Sequence, residues 1–212
     1  MRASFLQVAI AGLLVLLPGV SSAQAEPKAR WEQIDDDEGV RVWQNEVPGS
    51  DLPAFRGEVT MIASPEQIVA VIDDVKHHTE WMHNCVESVM LKRSEDGRTV
   101  IYNRTTAPWP VWDRDVILET KLDRATDGKS LTLNFHNIKS DLRKVPEKVV
   151  RMPRLVGFYK LVDLGNNKTR VTYQVEAHPG GSLPRWVAKR VVRDLPYETL
   201  SRLRDRVGKA GK

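Results

Sequence analysis

Between Val86 and Ala177 the chain holds six segments of period-two patterning, followed by one long helical stretch. VESVMLKR, RTVIYNRTT, DRDVILETKL, SLTLNFHNI, LVGFYKLVDL and TRVTYQVEA each read as strands, with apolar and polar side chains interleaved. Asp96-Gly97, Asp127-Gly128 and Gly165-Asn166-Asn167 fall between segments and suit the positive-φ positions of tight turns. Turns this short join antiparallel neighbours, because a parallel pair needs a crossover of a dozen or more residues. The pattern therefore specifies a long antiparallel meander rather than a parallel sheet.

Two shorter strands precede it. Asp37-Glu38-Gly39 reads as a turn, Val40 and Val42 (with Glu46-Val47 as an extension) as a first strand, and AFRGEVTMI as its partner. Ser64, Pro65 and Gln67 then form an N-cap, a first helical residue and a capping box. Ile68, Val71, Ile72 and Val75 follow at helical spacing, and a second helical turn is expected around residues 77–82. Near the other end, Pro184 suits a helix start, and Val187, Val191, Val192, Leu195, Thr199, Leu203 and Val207 fall along one stripe. Pro196 sits inside that helix and is expected to bend it. A sheet that curls over such a stripe buries it, which makes an α+β domain with a sheet gripping a helix.

Composition narrows the setting. Cys85 is the single cysteine, so no intramolecular disulfide forms and the core is held by burial alone. The formal net charge is +4, with both signs mixed along the chain except in the Lys- and Arg-rich stretch from Arg185 onward. Residues 1–25 carry Arg2, an apolar run up to Val20 broken by Pro18, and the small-residue site Ala23-Gln24-Ala25. That is the pattern of a cleaved secretory signal peptide, leaving residues 26–212 as one exported, periplasmic or secreted domain. For an exported protein the basic stretch points to lipid headgroups rather than nucleic acid.

APWPVWDRDVILETKL, followed by VVRMPRLVGFYKLVDLGNNKTRVTYQVEAHPGGSLPRWVAKRVVRDLPYETLSRLRDRV, resembles the START domain, the steroidogenic-acute-regulatory-related lipid-transfer module. GVRVWQNEVPGS extends the resemblance toward the N-terminus. The resemblance implies a helix-grip fold, a nine-stranded antiparallel sheet curled around the C-terminal helix with an apolar cavity between them for one lipid-sized molecule. It implies a lid made of that helix and a neighbouring loop, here the 124–129 turn. It also implies a structural role for Arg114 and Asp115, tying loop to strand. Pro108 and Pro110 keep the preceding loop out of the sheet, and Trp109 and Trp112 are expected to pack within it. The cavity of the well-known sterol carriers has an acid–base pair whose basic position falls near Thr120 here, so sterol specificity does not carry over.

Strand alternation gives a set of residues expected to face the ligand: Tyr102, Arg104, Leu118, Thr120, Leu133, Phe135, Tyr173 and Val175. Val191, Leu195 and Thr199 face them from the helix. A charged side chain on a buried strand face must be paired or meet a ligand, which singles out Arg104 as the holder of a polar head, unless an acid such as Glu119 pairs with it. His77, His78, His83 and Cys85 match no zinc spacing, and Asp113 and Asp115 lack an opposing acid for acid/base work. The expectation is a non-enzymatic, monomeric binder or carrier of a lipid, using no cofactor or metal and touching the membrane transiently. The rivals are a cyclase- or hydrolase-like enzyme on the same scaffold, which needs His136 or Asp113 in the cavity, and a partner of an envelope complex.

Overall fold

Among the described residues ten strands form one sheet in the order β1-β2-β3-β10-β9-β7-β6-β5-β4, with β8 pairing β6 off this path. The strands are β1 Glu32–Asp37, β2 Val40–Asn45, β3 Ala54–Met61, β4 Cys85–Arg93, β5 Thr99–Thr105, β6 Asp113–Arg124, β7 Ser130–Asn137, β8 Val149–Arg151, β9 Arg154–Asp163 and β10 Thr169–His178. The helices are α1 Pro65–Asp73, α2 His78–Trp81 and α3 Arg185–Ala210, with a 3₁₀ turn at Val75–His77. The structure is a computed structural model that describes residues 30–50, 52–182 and 184–210. Residues 1–25, expected to be a signal peptide, lie outside the described residues, as do the side chains of Arg185 and of residues 188–193 in α3.

Neighbours along the path pair antiparallel, and the six-strand meander forms as its patterning requires. Gly97, Gly128, Gly165, Asn166 and Asn167 all take positive φ in its turns. The chain returns to its start by pairing β10 with β3, Val171 opposite Val59, which curls the sheet. Two strands go beyond the sequence reading. β1 (EQIDDD) has a single large apolar residue, Ile34, and so no alternation to detect. β8 is three residues long and runs parallel to the start of β6, Val149 opposite Asp113.

Ser64 caps α1 in both directions, its Oγ accepting from the Gln67 amide while Gln67 Oε1 accepts from the Ser64 amide. Helix α3 continues through Pro196 and lies in the curl of the sheet, with Leu200 and Leu203 fully buried and Val207 5% exposed. Its close approach depends on Gly57 of β3, where a Cβ would stand 2.6 Å from Leu200 Cδ1. Gly157 of β9 is tighter, since a Cβ there would meet the Gln174 carbonyl at 2.1 Å and the Phe135 ring at 2.5 Å.

The outer face of β4–β6 carries a second, smaller core of Val100, Tyr102 and Ile117, packed with Val89, Leu91 and Ile138. The 138–148 segment joins it through Arg143, whose guanidinium lies 4.8 Å from the Tyr102 ring centre and pairs with Glu87. Strand β5 is therefore covered on both faces, with the stretch Thr99–Asn103 buried throughout.

Candidate functional site

A cavity of about 710 Å³ opens between α3, the α1–α2 segment and the concave face of the sheet. That volume lies within the ~300–1,000 Å³ of small-molecule sites. Ile101, Val116, Leu118, Leu133, Phe135, Tyr159, Tyr173 and Val175 line it from the sheet, Val187, Leu195 and Thr199 from α3, and Ile72, Val75 and His78 from the helical segment. Residues 105–108 of the β5–β6 loop and Pro179 line one end.

The aromatic part of the wall is ordered by packing. Tyr159 and Tyr173 stack with ring centres 4.6 Å apart and planes at 18°, and Phe135 leans on both at 5.9 and 6.3 Å. Gly157 makes the space that the Phe135 ring fills. Burial pushes both tyrosine hydroxyls above their ordinary range, so they serve as neutral polar groups.

Other polar groups are interspersed in the wall. Thr99 and Thr120 join their hydroxyls at 2.6 Å across β5 and β6. Asn103 accepts from Ser88 Oγ at 2.7 Å, and Ser88 also meets His78 Nδ1 at 3.2 Å. His78 bonds the Ile72 carbonyl through Nε2 at 2.7 Å, and burial holds its pKa below the ordinary histidine value. Thr199 Oγ1 is buried without a partner among the described residues.

Of the expected ligand-facing residues, Leu118, Thr120, Leu133, Phe135, Tyr173, Val175, Leu195 and Thr199 all line this cavity. Val191 lies on α3 with its side chain outside the described residues. Tyr102 and Arg104 are corrections. The pairing of Leu118 with Ile101 and of Val116 with Asn103 shows that Ile101 and Asn103 share the cavity face. Tyr102, opposite Ile117, sits in the outer core, where burial comes first in pushing its hydroxyl up to about 12. Arg104 stands outside the cavity and grips Asp113 through Nη2 at 2.7 Å and Nε at 2.8 Å, so its acid is Asp113 rather than Glu119.

Arg114 lines the cavity together with the acids Asp73, Asp115, Asp194 and Glu198; it stands two positions before Val116 and so was legible from the same alternation. It is 7% exposed. Its Nη1 donates to the Trp112 carbonyl at 2.6 Å and its Nη2 to the Gly180 carbonyl at 3.3 Å. Asp115 (1% exposed) takes a bidentate pair from Arg151, Nε to Oδ1 at 2.6 Å and Nη2 to Oδ2 at 3.0 Å. Arg114 and Asp115 thus each tie a different segment to β6, as a structural role demands.

The lid expectation also changes. No residue of the 124–129 turn lines the cavity, and Arg124 pairs with Glu66 of α1 at 3.1 Å. The loop flanking the cavity is 105–112. Trp109 and Trp112 do not pack within it, being 90% and 56% exposed, and Trp186 beside the lining residue Val187 is 51% exposed. His136 is half exposed, 4.0 Å from Glu119, and neither it nor Asp113 lines the cavity.

A sheet curled around a C-terminal helix, with an apolar cavity between them, defines a helix-grip protein. The START domain family model matches residues 20–212, and the chain belongs to that family. An uncharacterized protein of Pseudomonas aeruginosa is 38% identical over 176 residues, covering 82% of this chain and 85% of that one. START domain-containing protein 10 of Mus musculus is 24% identical over 184 residues, and the match spans 62% of its length and 85% of this chain. Among solved structures, the STAR-related lipid transfer protein of Xanthomonas axonopodis superposes with a TM-score of 0.76 at 34% identity, covering 84% of this chain and 98% of that one. Human StAR-related lipid transfer protein 5 shares the fold, with a TM-score of 0.76 at 19% identity over 88% of this chain and 90% of that one.

Proposed function

We propose that the chain binds one hydrophobic ligand of lipid class in the cavity and carries it between membranes, without chemical change to it. The observation that carries this reading is the cavity of about 710 Å³ walled by Leu118, Leu133, Phe135, Tyr159 and Tyr173 in a START fold. Transfer of each methylene from water to such a wall is favourable by roughly 0.8 kcal/mol. The positions of His136 and Asp113 outside the cavity support a carrier over an enzyme.

In this reading residues 1–25 direct export to the periplasm or beyond and are removed, and the carrier works as a monomer. Contact with the membrane occurs at the 105–112 end. Trp109, Trp112 and Trp186 are suited to the headgroup layer, because indole is apolar over its face and polar at its edge. The basic residues at the start of α3 add attraction to anionic lipid, about 1 kcal/mol per well-placed cation. Loosening of α3 together with the 105–112 loop then opens the cavity.

The test is incubation with mixed-lipid vesicles, followed by re-isolation of the protein and assay of bound lipid. One lipid per chain is expected, taken up more slowly by the double variant Trp109→Ala/Trp112→Ala and more slowly in high salt. Protein that returns empty at every salt concentration would sink the carrier reading. Uptake indifferent to salt would sink the electrostatic part alone.

A further inference from the structure

Arg114 places a cation in a wall that is otherwise mostly apolar. Its guanidinium has five N–H donors. Two are used, both on backbone carbonyls, and the Gly180 contact at 3.3 Å is long. Nε is buried with no partner among the described residues. No carboxylate lies within 4 Å of the group among the described residues. The two acids beside it in sequence are held by other arginines, Asp113 by Arg104 and Asp115, itself a lining residue, by Arg151. Glu198, which also lines the cavity, is held by Arg202 at 2.9 Å. A guanidinium stays protonated at working pH, and a buried charge with no directly bonded counter-ion is costly. Burial lowers the Arg114 pKa, and the Asp113 charge offsets this only in part. Arginine's planar fork suits carboxylate and phosphate oxygens in pairs.

We infer that the cargo is an anionic amphiphile, whose carboxylate or phosphate head docks at Arg114 while its apolar tail lies along Leu118, Phe135 and Tyr173. The assignment rests on the carrier reading and deepens it. It also gives head-group capture a structural consequence. Gly180 and Gly181, both at positive φ, lead into α3, and a Cβ on Gly181 would stand 4.0 Å from Arg114 Nη2. An acidic head therefore binds where the chain turns into the helix that covers the cavity.

The experiment is calorimetric titration of the purified protein with palmitate, hexadecanol, phosphatidic acid, acetate and inorganic phosphate. The long-chain probes are kept below the concentrations at which they aggregate. One palmitate or one phosphatidate per chain is expected, bound about ten- to a hundredfold more tightly than hexadecanol, as suits a hydrogen bond to a charged group. The tighter of the two acids identifies the head as carboxylate or phosphate. Arg114→Met is expected to bring the palmitate-to-hexadecanol ratio close to one, and Arg114→Lys to retain part of it. Should Arg114→Met fail to fold, the ratio in the unaltered protein decides. Hexadecanol binding as tightly as palmitate overturns the anionic head and leaves the carrier reading standing. Acetate or phosphate binding as tightly as the long-chain acids overturns the amphiphile in favour of a free anion. If none of the probes binds, the carrier reading fails and takes this inference with it.

Discussion

At the scale of single residues, the cavity wall sets protonation states by burial. His78 is 2% exposed and reaches the Ile72 carbonyl and Ser88 through its two ring nitrogens. Desolvation dominates the pull of Asp74 and Asp73, so its folded pKa lies below the unfolded one. The unfolded chain thus binds a proton that the folded chain refuses. The contribution to stability is present above the ordinary histidine value and is lost as pH falls through the folded pKa. The urea midpoint is therefore expected to fall between pH 7.5 and pH 5.5, and the fall to shrink in His78→Gln. An undiminished fall in that variant would assign the effect to other groups. The sequence alone marked His78 only as one of several histidines near Cys85. Its role came into view with Trp81, whose ring meets it edge-on at 5.3 Å, and with Ser88 on the facing strand.

At the scale of elements, two glycines decide how closely the layers approach. A Cβ on Gly57 meets the far end of Leu200, which can shift, whereas a Cβ on Gly157 meets a backbone carbonyl at 2.1 Å. Gly57→Ala is expected to cost about 1 kcal/mol, and Gly157→Ala about 3 kcal/mol, the latter with loss of Phe135 packing. Chemical denaturation of both variants checks the order, and equal losses would contradict it. Element phase was legible on β7 and β10 from their alternation, and on β6 from its more exposed second half Glu119–Arg124, since residues 114–118 are buried on both faces. On β6, β7 and β10 the alternation placed Leu118, Thr120, Leu133, Phe135, Tyr173 and Val175 on the cavity side, and the structure agrees. On β5 it did not, because the 138–148 segment and the outer core bury the second face as well. A strand buried on both sides carries no alternation, and the choice of Tyr102 and Arg104 over Ile101 and Asn103 had nothing in the pattern to correct it. Arg114 was legible and passed over, since the alternation that selects Val116 and Leu118 selects it too.

At the scale of the whole molecule, the meander, the gripped helix and the family were all legible, because periodicity, turn chemistry and motif order agree along the chain. The contacts that close the curl were not. The pairing of β3 with β10 spans more than a hundred residues of sequence, and β8 takes its place only because β6 begins beside it. Among the described residues no helix is long and apolar enough to cross a membrane. The proposed surface contact with a bilayer rests instead on Trp109, Trp112 and Trp186, which are exposed and lie in the 105–112 loop and next in sequence to the lining residue Val187. The most direct measurement is native mass spectrometry of the protein as purified from its own cells, beside a Leu133→Trp variant that fills the cavity. A mass excess of one lipid per chain is expected in the first and its loss in the second, with both folded by circular dichroism. A protein that carries no excess mass and takes up none from offered lipid, or a variant that keeps the full excess, would contradict the cavity as the site of cargo.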